Sequence, residues 1–103
     1  MTALPAGTVT FLFTDIEGST RLLRALGEEY RAVQDRHGEI VRAALEANDG
    51  HIVRTVGDSF FATFRSPIGA VRGAIDAQRN LSGNDWPEGV ELRVRMGLHT
   101  GQG

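Results

Sequence analysis

The sequence predicts an α+β domain in which an antiparallel sheet carries helices on one face, in the order βααββαβ. Three observations give this prediction. An almost continuous apolar run lies near the start, a helix-period apolar stripe spans Leu26 to Leu45, and two β-rich runs are joined by Gly57-Asp58. With 103 residues, 41% of them hydrophobic, the chain has room for one core. We therefore expect a single domain over residues 1–103.

The first half of the chain reads as one strand followed by a helix in two pieces. Thr8 to Asp15 is rich in β-branched and aromatic residues, and its continuity is typical of a strand covered on both faces. Gly18-Ser19-Thr20 opens a helical segment that stops near Gly27. A longer helix runs from about Glu28 to Asn48, where Asn48-Asp49-Gly50 ends it. Its stripe comprises Leu26, Tyr30, Val33, His37, Ile40, Val41, Ala44 and Leu45.

The second half reads as a hairpin, a helix and a last strand. The runs HIVRTV and SFFATF flank Gly57-Asp58, which is the chemistry of a tight two-residue turn. Ser66 is a predicted N-cap for a helix from Pro67 to about Leu81. Along one side of that helix lie Ile68, Val71, Ala74, Ile75 and Gln78. The last strand is expected from Val90 to Thr100, where apolar and polar residues alternate.

This element order favours the split βαβ arrangement, which is the ferredoxin-like fold. There the first and third strands are antiparallel neighbours at the centre of the sheet, so the end of one lies beside the start of the other. Those two points are Asp15 and Asp58. Each acid alone has a plainer interpretation, Asp15 as a helix cap and Asp58 as a turn residue.

Together, the two carboxylates predict a metal site. Two carboxylates a few ångströms apart cannot both stay ionised without a cation, and a hard divalent ion such as Mg²⁺ or Mn²⁺ prefers oxygen ligands. The helix start beside them offers backbone N–H groups to a phosphate. This combination indicates phosphoryl or nucleotidyl transfer by two metal ions.

Three segments carry a resemblance to a known family: FLFTDIEGSTRLL, HIVRTVGDSFFATF and RVRMGLHTG. They resemble successive motifs of the class III nucleotidyl cyclase catalytic domain in its bacterial form, over about Thr8 to Gly103. The resemblance implies a ferredoxin-like core and a homodimer that converts ATP, or GTP, to the 3′,5′-cyclic monophosphate and pyrophosphate. It also implies two Mg²⁺ or Mn²⁺ ions per site.

The resemblance assigns roles to particular residues. Asp15 and Asp58 match the two metal aspartates, and Ile16 contributes its backbone carbonyl to one ion. The backbone amides expected to cradle the phosphates are those of Glu17, Gly18, Ser19 and Thr20. The position of the base-selecting lysine of adenylate-forming members is occupied by Arg54. This change either alters base selection or reflects drift in a chain whose 11 basic side chains are all arginine.

The family domain continues beyond GLHTG with a second base-selecting residue and with an asparagine and an arginine that act in the transition state. We therefore expect this chain alone to be inactive or nearly so, as a fragment or a truncated relative. Two alternatives stay open. One is a diguanylate cyclase or polymerase-palm relative, for which VGDSF lacks the expected acidic hairpin. The other is a degenerate domain that binds nucleotide or a partner chain.

The composition argues against several other classes of protein. The net charge of −2 and the absence of a basic surface argue against a nucleic-acid partner. No cysteine is present, so neither a disulfide framework nor a thiolate metal site can form. No apolar run reaches the roughly 20 residues of a membrane helix, and Met1 to Pro5 lacks the features of a signal peptide. We expect a cytoplasmic domain without a membrane partner.

Overall fold

The structure, a computed structural model, describes residues 8–102. The prediction about a signal peptide in Met1 to Pro5 therefore lies outside the described residues. A 3₁₀ turn separates the first two helices. The elements are β1 (Thr8–Ile16), α1 (Ser19–Leu26), the 3₁₀ turn (Gly27–Glu29), α2 (Tyr30–Ala47), β2 (His51–Val56), β3 (Ser59–Phe64), α3 (Pro67–Gly83) and β4 (Val94–Gln102).

The four strands form one sheet in the order β2-β3-β1-β4, and each neighbouring pair is antiparallel. The predicted α+β fold, its element order and the central β1–β3 pair are thus confirmed. In the register of that pair, Thr14 lies opposite Phe60, which brings the end of β1 next to the β2–β3 turn. The predicted turn residues Gly57 and Asp58 connect β2 to β3, with Gly57 at a φ of 58°.

The helices cover one face of the sheet. On β1, Thr10, Leu12, Thr14 and Ile16 are buried, whereas Phe11 and Phe13 are 37% and 36% exposed. The expectation that β1 is covered on both faces is therefore wrong for the described residues. We call the uncovered side of the sheet the open face.

The α2 stripe was predicted correctly, since only Leu26 of its members lies outside the buried set. It packs on the covered face of the sheet with Leu12, Ile16, Phe60 and Phe64. His37 is fully buried in this stripe, as expected of a core histidine. Among the described residues, no helix is long and apolar enough to cross a membrane.

For α3 the predicted start is right, and the side that faces the core is not the one that carries its largest apolar residues. The Ser66 hydroxyl accepts a hydrogen bond from the Gly69 N–H at 3.3 Å, which is the expected cap. The residues that face the core are Ala70, Gly73, Ala77 and Leu81. The larger residues Ile68, Val71 and Ile75 are 45% to 64% exposed.

Close packing explains which side of α3 faces inward. A Cβ atom added at Gly73 would lie 3.3 Å from Leu45 Cδ2 and 3.4 Å from Phe64 Cζ. Small residues are therefore needed where α3 meets α2 and the sheet, because protein interiors leave little unoccupied space. Apolar residues recur at helical spacing on both sides of α3, so this spacing does not identify the side that faces the core.

The last strand begins four residues later than predicted, at Val94 rather than Val90. A turn occupies the intervening segment: the Val90 N–H donates to the Pro87 carbonyl at 3.0 Å, and Gly89 has a φ of 82°. Trp86 secures the same loop, because its Nε1–H donates to the Leu81 carbonyl at 2.9 Å. The loop thus returns the chain to the sheet edge at β4.

Candidate functional site

The first predicted site residue, Asp15, lies near the end of β1. Its neighbours Thr14 and Ile16 are buried on the helix side, so the alternation of the strand turns Asp15 toward the open face. Its side chain is 19% exposed. The carboxylate therefore lies at the rim of the sheet, where a solute can reach it.

Asp58 comes to the same rim from the β2–β3 turn. Its Oδ2 accepts a hydrogen bond from the Ile16 N–H at 2.7 Å, although the two residues are 42 positions apart in sequence. The carboxylate is thereby held against the peptide bond that joins Asp15 to Ile16. The structure thus brings Asp15, Ile16 and Asp58 together.

Arg95 is a third charged residue at this rim, and we did not assign it to the site from the sequence. It lies directly opposite Asp15 in the β1–β4 register. Its Nε and Nη2 donate to Asp15 Oδ1 and Oδ2, each at 2.8 Å. The hydrogen bond to Asp15 and the charge of that carboxylate raise the pKa of Arg95, so the guanidinium stays charged. The sequence shows Arg95 only as one of the polar residues that alternate along the last strand, and the strand register identifies its partner.

The donor set at the rim fits a hard divalent ion that is shared with a substrate. Among residues 8–102, no group of three or more histidine, aspartate or glutamate side chains is placed to hold a metal ion. Mg²⁺ commonly binds through one or two carboxylates and completes its shell with water and substrate phosphates. Asp15 and Asp58, with the Ile16 carbonyl, are the residues that could hold such an ion.

The helix start after β1 differs in one respect from the predicted phosphate cradle. The Glu17 N–H donates to the Arg93 carbonyl at 2.8 Å and so continues the β1–β4 pairing. Gly18 then turns the chain with a φ of 68°, and no side chain of the described residues caps α1. Of the four amides predicted to form the cradle, those of Gly18, Ser19 and Thr20 therefore remain at the α1 terminus.

Arg54, at the predicted base-selecting position, lies on β2 next to an irregularity in the pairing with β3. Its guanidinium carbon lies 5.0 Å from the centroid of the Phe61 ring, within the range of a cation–π contact. The Phe61 ring in turn lies 4.9 Å from that of Phe13. These residues line a surface groove of about 620 Å³ on the open face, together with Phe11, Leu12, Val53, Ala62, Gly97, Leu98 and His99.

Three buried polar side chains lie on the covered side of the sheet. The Thr14 hydroxyl, the Tyr30 hydroxyl and both ring nitrogens of His37 make no hydrogen bond of good geometry with the described part of the chain. Burial lowers the pKa of His37. The Gln34 backbone and the charge of Asp58 act in the opposite direction, but their effects are smaller. Burial, with a smaller contribution from Asp58, raises the pKa of Tyr30.

Comparison with known proteins identifies similar sequences and structures. The family described as adenylate and guanylate cyclase catalytic domain matches residues 1–103. An adenylate cyclase of Lachancea kluyveri is 32% identical over an alignment 118 residues long. The alignment covers 96% of this chain and 6% of that protein. A solved adenylate cyclase of Trypanosoma brucei, in its monomeric state, has a TM-score of 0.87 and 29% identity, over 97% of this chain and 60% of that one.

A third comparison concerns the fold alone. The guanylate cyclase domain of RhGC from Catenaria anguillulae, solved in complex with GTP, has a TM-score of 0.80 and 21% identity. The match covers 92% of this chain and 57% of the RhGC chain. This chain therefore spans a small part of the curated relative and somewhat more than half of each solved domain. The organisms of the named relatives are eukaryotic, so the predicted bacterial form of the family is not supported.

Proposed function

Because the chain belongs to the adenylate and guanylate cyclase catalytic domain family, we propose that it acts in nucleotidyl cyclisation, with residues 1–103 as one domain. The reaction converts ATP or GTP to the 3′,5′-cyclic nucleotide and pyrophosphate. The observation that carries this proposal is that Asp58 reaches the end of β1, where its Oδ2 accepts a hydrogen bond from the N–H of Ile16, the residue next to Asp15. Carboxylates placed this way suit a substrate that brings its own phosphates to the metal.

Each residue at the rim has a proposed task. Asp15 and Asp58, with the carbonyl of Ile16, would hold two divalent ions, and the Ile16 N–H orients Asp58 through its 2.7 Å hydrogen bond. Bound Mg²⁺ or Mn²⁺ would supply acidification of the ribose 3′-hydroxyl and neutralisation of the triphosphate.

The triphosphate is proposed to lie against the start of α1. The amides of Gly18, Ser19 and Thr20 point toward the helix terminus, where the helix dipole favours an anion. The Glu17 amide is excluded from this role by its bond to Arg93. Thus the proposed phosphate contacts are three amides rather than the four expected from the sequence.

The base is proposed to lie in the groove on the open face. Phe11, Phe13 and Phe61 provide apolar and aromatic walls, and the Arg54 guanidinium carbon lies 5.0 Å from the centroid of the Phe61 ring. A guanidinium fork can pair with the acceptor edge of guanine, whereas the family lysine is a compact charge. The named curated relative is an adenylate cyclase, and the RhGC domain was solved with GTP, so both nucleotides are candidates.

A second copy of the chain is the proposed partner. The exposed apolar side chains Phe11, Phe13, Val53 and Leu98 lie in or beside the groove on the sheet. Covering them in a homodimer would remove apolar surface from water.

One pair of observations favours a second function, a nucleotide-binding or regulatory domain without turnover. Arg95 donates to both carboxylate oxygens of Asp15, and the Arg54 guanidinium lies against the Phe61 ring, so both arginines already have partners within the protein. A domain of this kind would bind nucleotide with metal and release no product.

A product assay separates these functions. The chain is incubated with Mn²⁺ and either ATP or GTP at several protein concentrations, and cyclic AMP and cyclic GMP are measured by mass spectrometry. Relative to whatever product the unmodified chain forms, Asp15→Asn and Asp58→Asn are expected to lower product formation by a factor on the order of 10²–10³. The control Asp35→Asn removes the same charge from a carboxylate that is 71% exposed on α2, and its rate should match the unmodified chain.

Each result has a defined meaning. Product that rises faster than linearly with protein and is lost in Asp15→Asn supports a dimeric cyclase, and the product identifies the base. Metal-dependent nucleotide binding without product supports the regulatory function instead. Product formation that survives Asp15→Asn contradicts the assigned site.

A further inference from the structure

The ion pair between Asp15 and Arg95 differs from the other ion pairs of the described residues. Those four join residues two to four positions apart, and each engages a single carboxylate oxygen. The Asp15–Arg95 pair spans 80 positions and engages both carboxylate oxygens, each at 2.8 Å. It is also the most sheltered on its acidic side, with Asp15 only 19% exposed.

The strand pairing holds this arginine in place. Asp15 and Arg95 are direct partners in the β1–β4 register, and the next backbone bond along, from the Glu17 N–H to the Arg93 carbonyl, continues the ladder beyond them. Side chains that lie directly opposite on one face of a sheet are close neighbours. The arginine therefore reaches Asp15 without a loop movement.

A bidentate guanidinium and a divalent cation compete for the same carboxylate. The fork engages both oxygens in the carboxylate plane, which leaves a metal ion fewer favourable directions of approach. The positive charge of Arg95 also repels a cation at the rim. Since arginine does not lose its proton in proteins, the pair opens by displacement of the side chain.

We propose that Arg95 is a positioning residue that holds Asp15 in the metal-free protein, and that a divalent cation binds at this rim only by displacing it. The metal affinity of the site is then set in part by the strength of the Asp15–Arg95 pair. This inference rests on the proposed metal role of Asp15. It adds that Arg95, which lies on β4, competes with the metal ion for the Asp15 carboxylate.

The first test measures metal binding without nucleotide or turnover. The 103-residue chain is titrated with Mn²⁺, and free Mn²⁺ is followed by electron paramagnetic resonance. Arg95→Gln is expected to bind Mn²⁺ roughly five-fold more tightly than the unmodified chain, the effect of losing a partly exposed ion pair. Arg95→Lys, which keeps the charge but not the fork, should fall between them.

A matched control excludes a general charge effect. Arg93 lies two residues away, is 67% exposed against 63% for Arg95, and pairs with Glu91 instead of Asp15. Arg93→Gln therefore removes the same charge from the same region without freeing Asp15. Its Mn²⁺ affinity should stay within about two-fold of the unmodified chain, because exposed charges at a distance are screened.

A second test observes the displacement itself in the unmodified chain and is independent of how the variants fold. The Arg95 Nε–H signal, assigned by its absence from Arg95→Lys, is followed by nuclear magnetic resonance during a Mg²⁺ titration. The signal should move toward that of a solvated arginine, and its exchange with water should become faster. A signal that does not change at saturating Mg²⁺ overturns the proposal.

The outcomes of the metal titration distinguish this inference from the proposed function. Equal or weaker Mn²⁺ binding by Arg95→Gln overturns the competition and leaves the metal site standing. No binding by the unmodified chain or by any variant overturns the metal site and the competition with it. Tighter binding by Arg95→Gln, absent from Arg93→Gln and lost in a double variant with Asp15→Asn, supports both.

Discussion

Acidification should destabilise this domain through His37, which is fully buried on α2. Burial lowers the pKa of His37, so the unfolded chain takes up a proton near the ordinary histidine pKa while the folded chain does not. The unfolded state then binds more protons, and the free energy of unfolding falls as the pH falls. Stability from the neutral side chain is therefore complete above about pH 6.5 and is lost as the pH drops toward the pKa of the folded protein.

The size of this effect has an upper bound. Each pH unit between the two pKa values costs about 1.4 kcal/mol for one proton. Lowering the pH to about 5.5 therefore removes at most about 1.4 kcal/mol through His37. Replacing His37 with leucine removes the proton-binding group and the buried nitrogens without hydrogen bonds. His37→Leu should be about 1 kcal/mol more stable at neutral pH, because an unsatisfied buried polar group is costly.

The assay is urea unfolding at several pH values, followed by the fluorescence of Trp86, the single tryptophan of the chain. The difference in stability between His37→Leu and the unmodified chain should widen as the pH falls below about 6.5. His51→Gln, which alters an exposed histidine on β2, should keep the pH dependence of the unmodified chain. If His37→Leu keeps that dependence as well, the linkage of His37 to stability is refuted.

Two further predictions test the packing by urea unfolding. Gly50→Ala should destabilise the fold by about 1–3 kcal/mol, because the added Cβ would lie 2.6 Å from a ring carbon of Phe64, and Gly83→Ala, which meets nothing within 4 Å, should not destabilise it. A loss in Gly83→Ala equal to that in Gly50→Ala would contradict the assigned clash. On α3, Ala77→Ile should cost about 1–3 kcal/mol, whereas Ile75→Gln should change stability by no more than about 0.5 kcal/mol. The reverse order would contradict the placement of Ala77 on the core-facing side of α3.

Local features of the sequence predicted most of the fold. The hairpin follows from Gly57-Asp58 between two β-rich runs, and the start of α3 follows from Ser66 before a proline, because turn and cap chemistry depends on adjacent residues. The α2 stripe could be found for a similar reason, since helical periodicity is visible along the chain. The meeting of Asp15 and Asp58 followed from element order, which restricts a chain of this kind to few topologies.

The tertiary structure decided features that depend on contacts between distant segments. The buried side of α3 depends on how closely the helix approaches Leu45 and Phe64, a spacing that periodicity does not contain. The start of β4 depends on the turn that holds Val90 away from the sheet.

The partners of the two arginines at the candidate site also depend on the tertiary structure. Arg95 meets Asp15 because the β1–β4 register places them opposite each other, 80 residues apart in sequence. Arg54 lies over Phe61 because β2 pairs irregularly with β3 at that point. A sequence specifies which charges a strand carries, but the partner of each charge is known only when the neighbouring strand and its register are known.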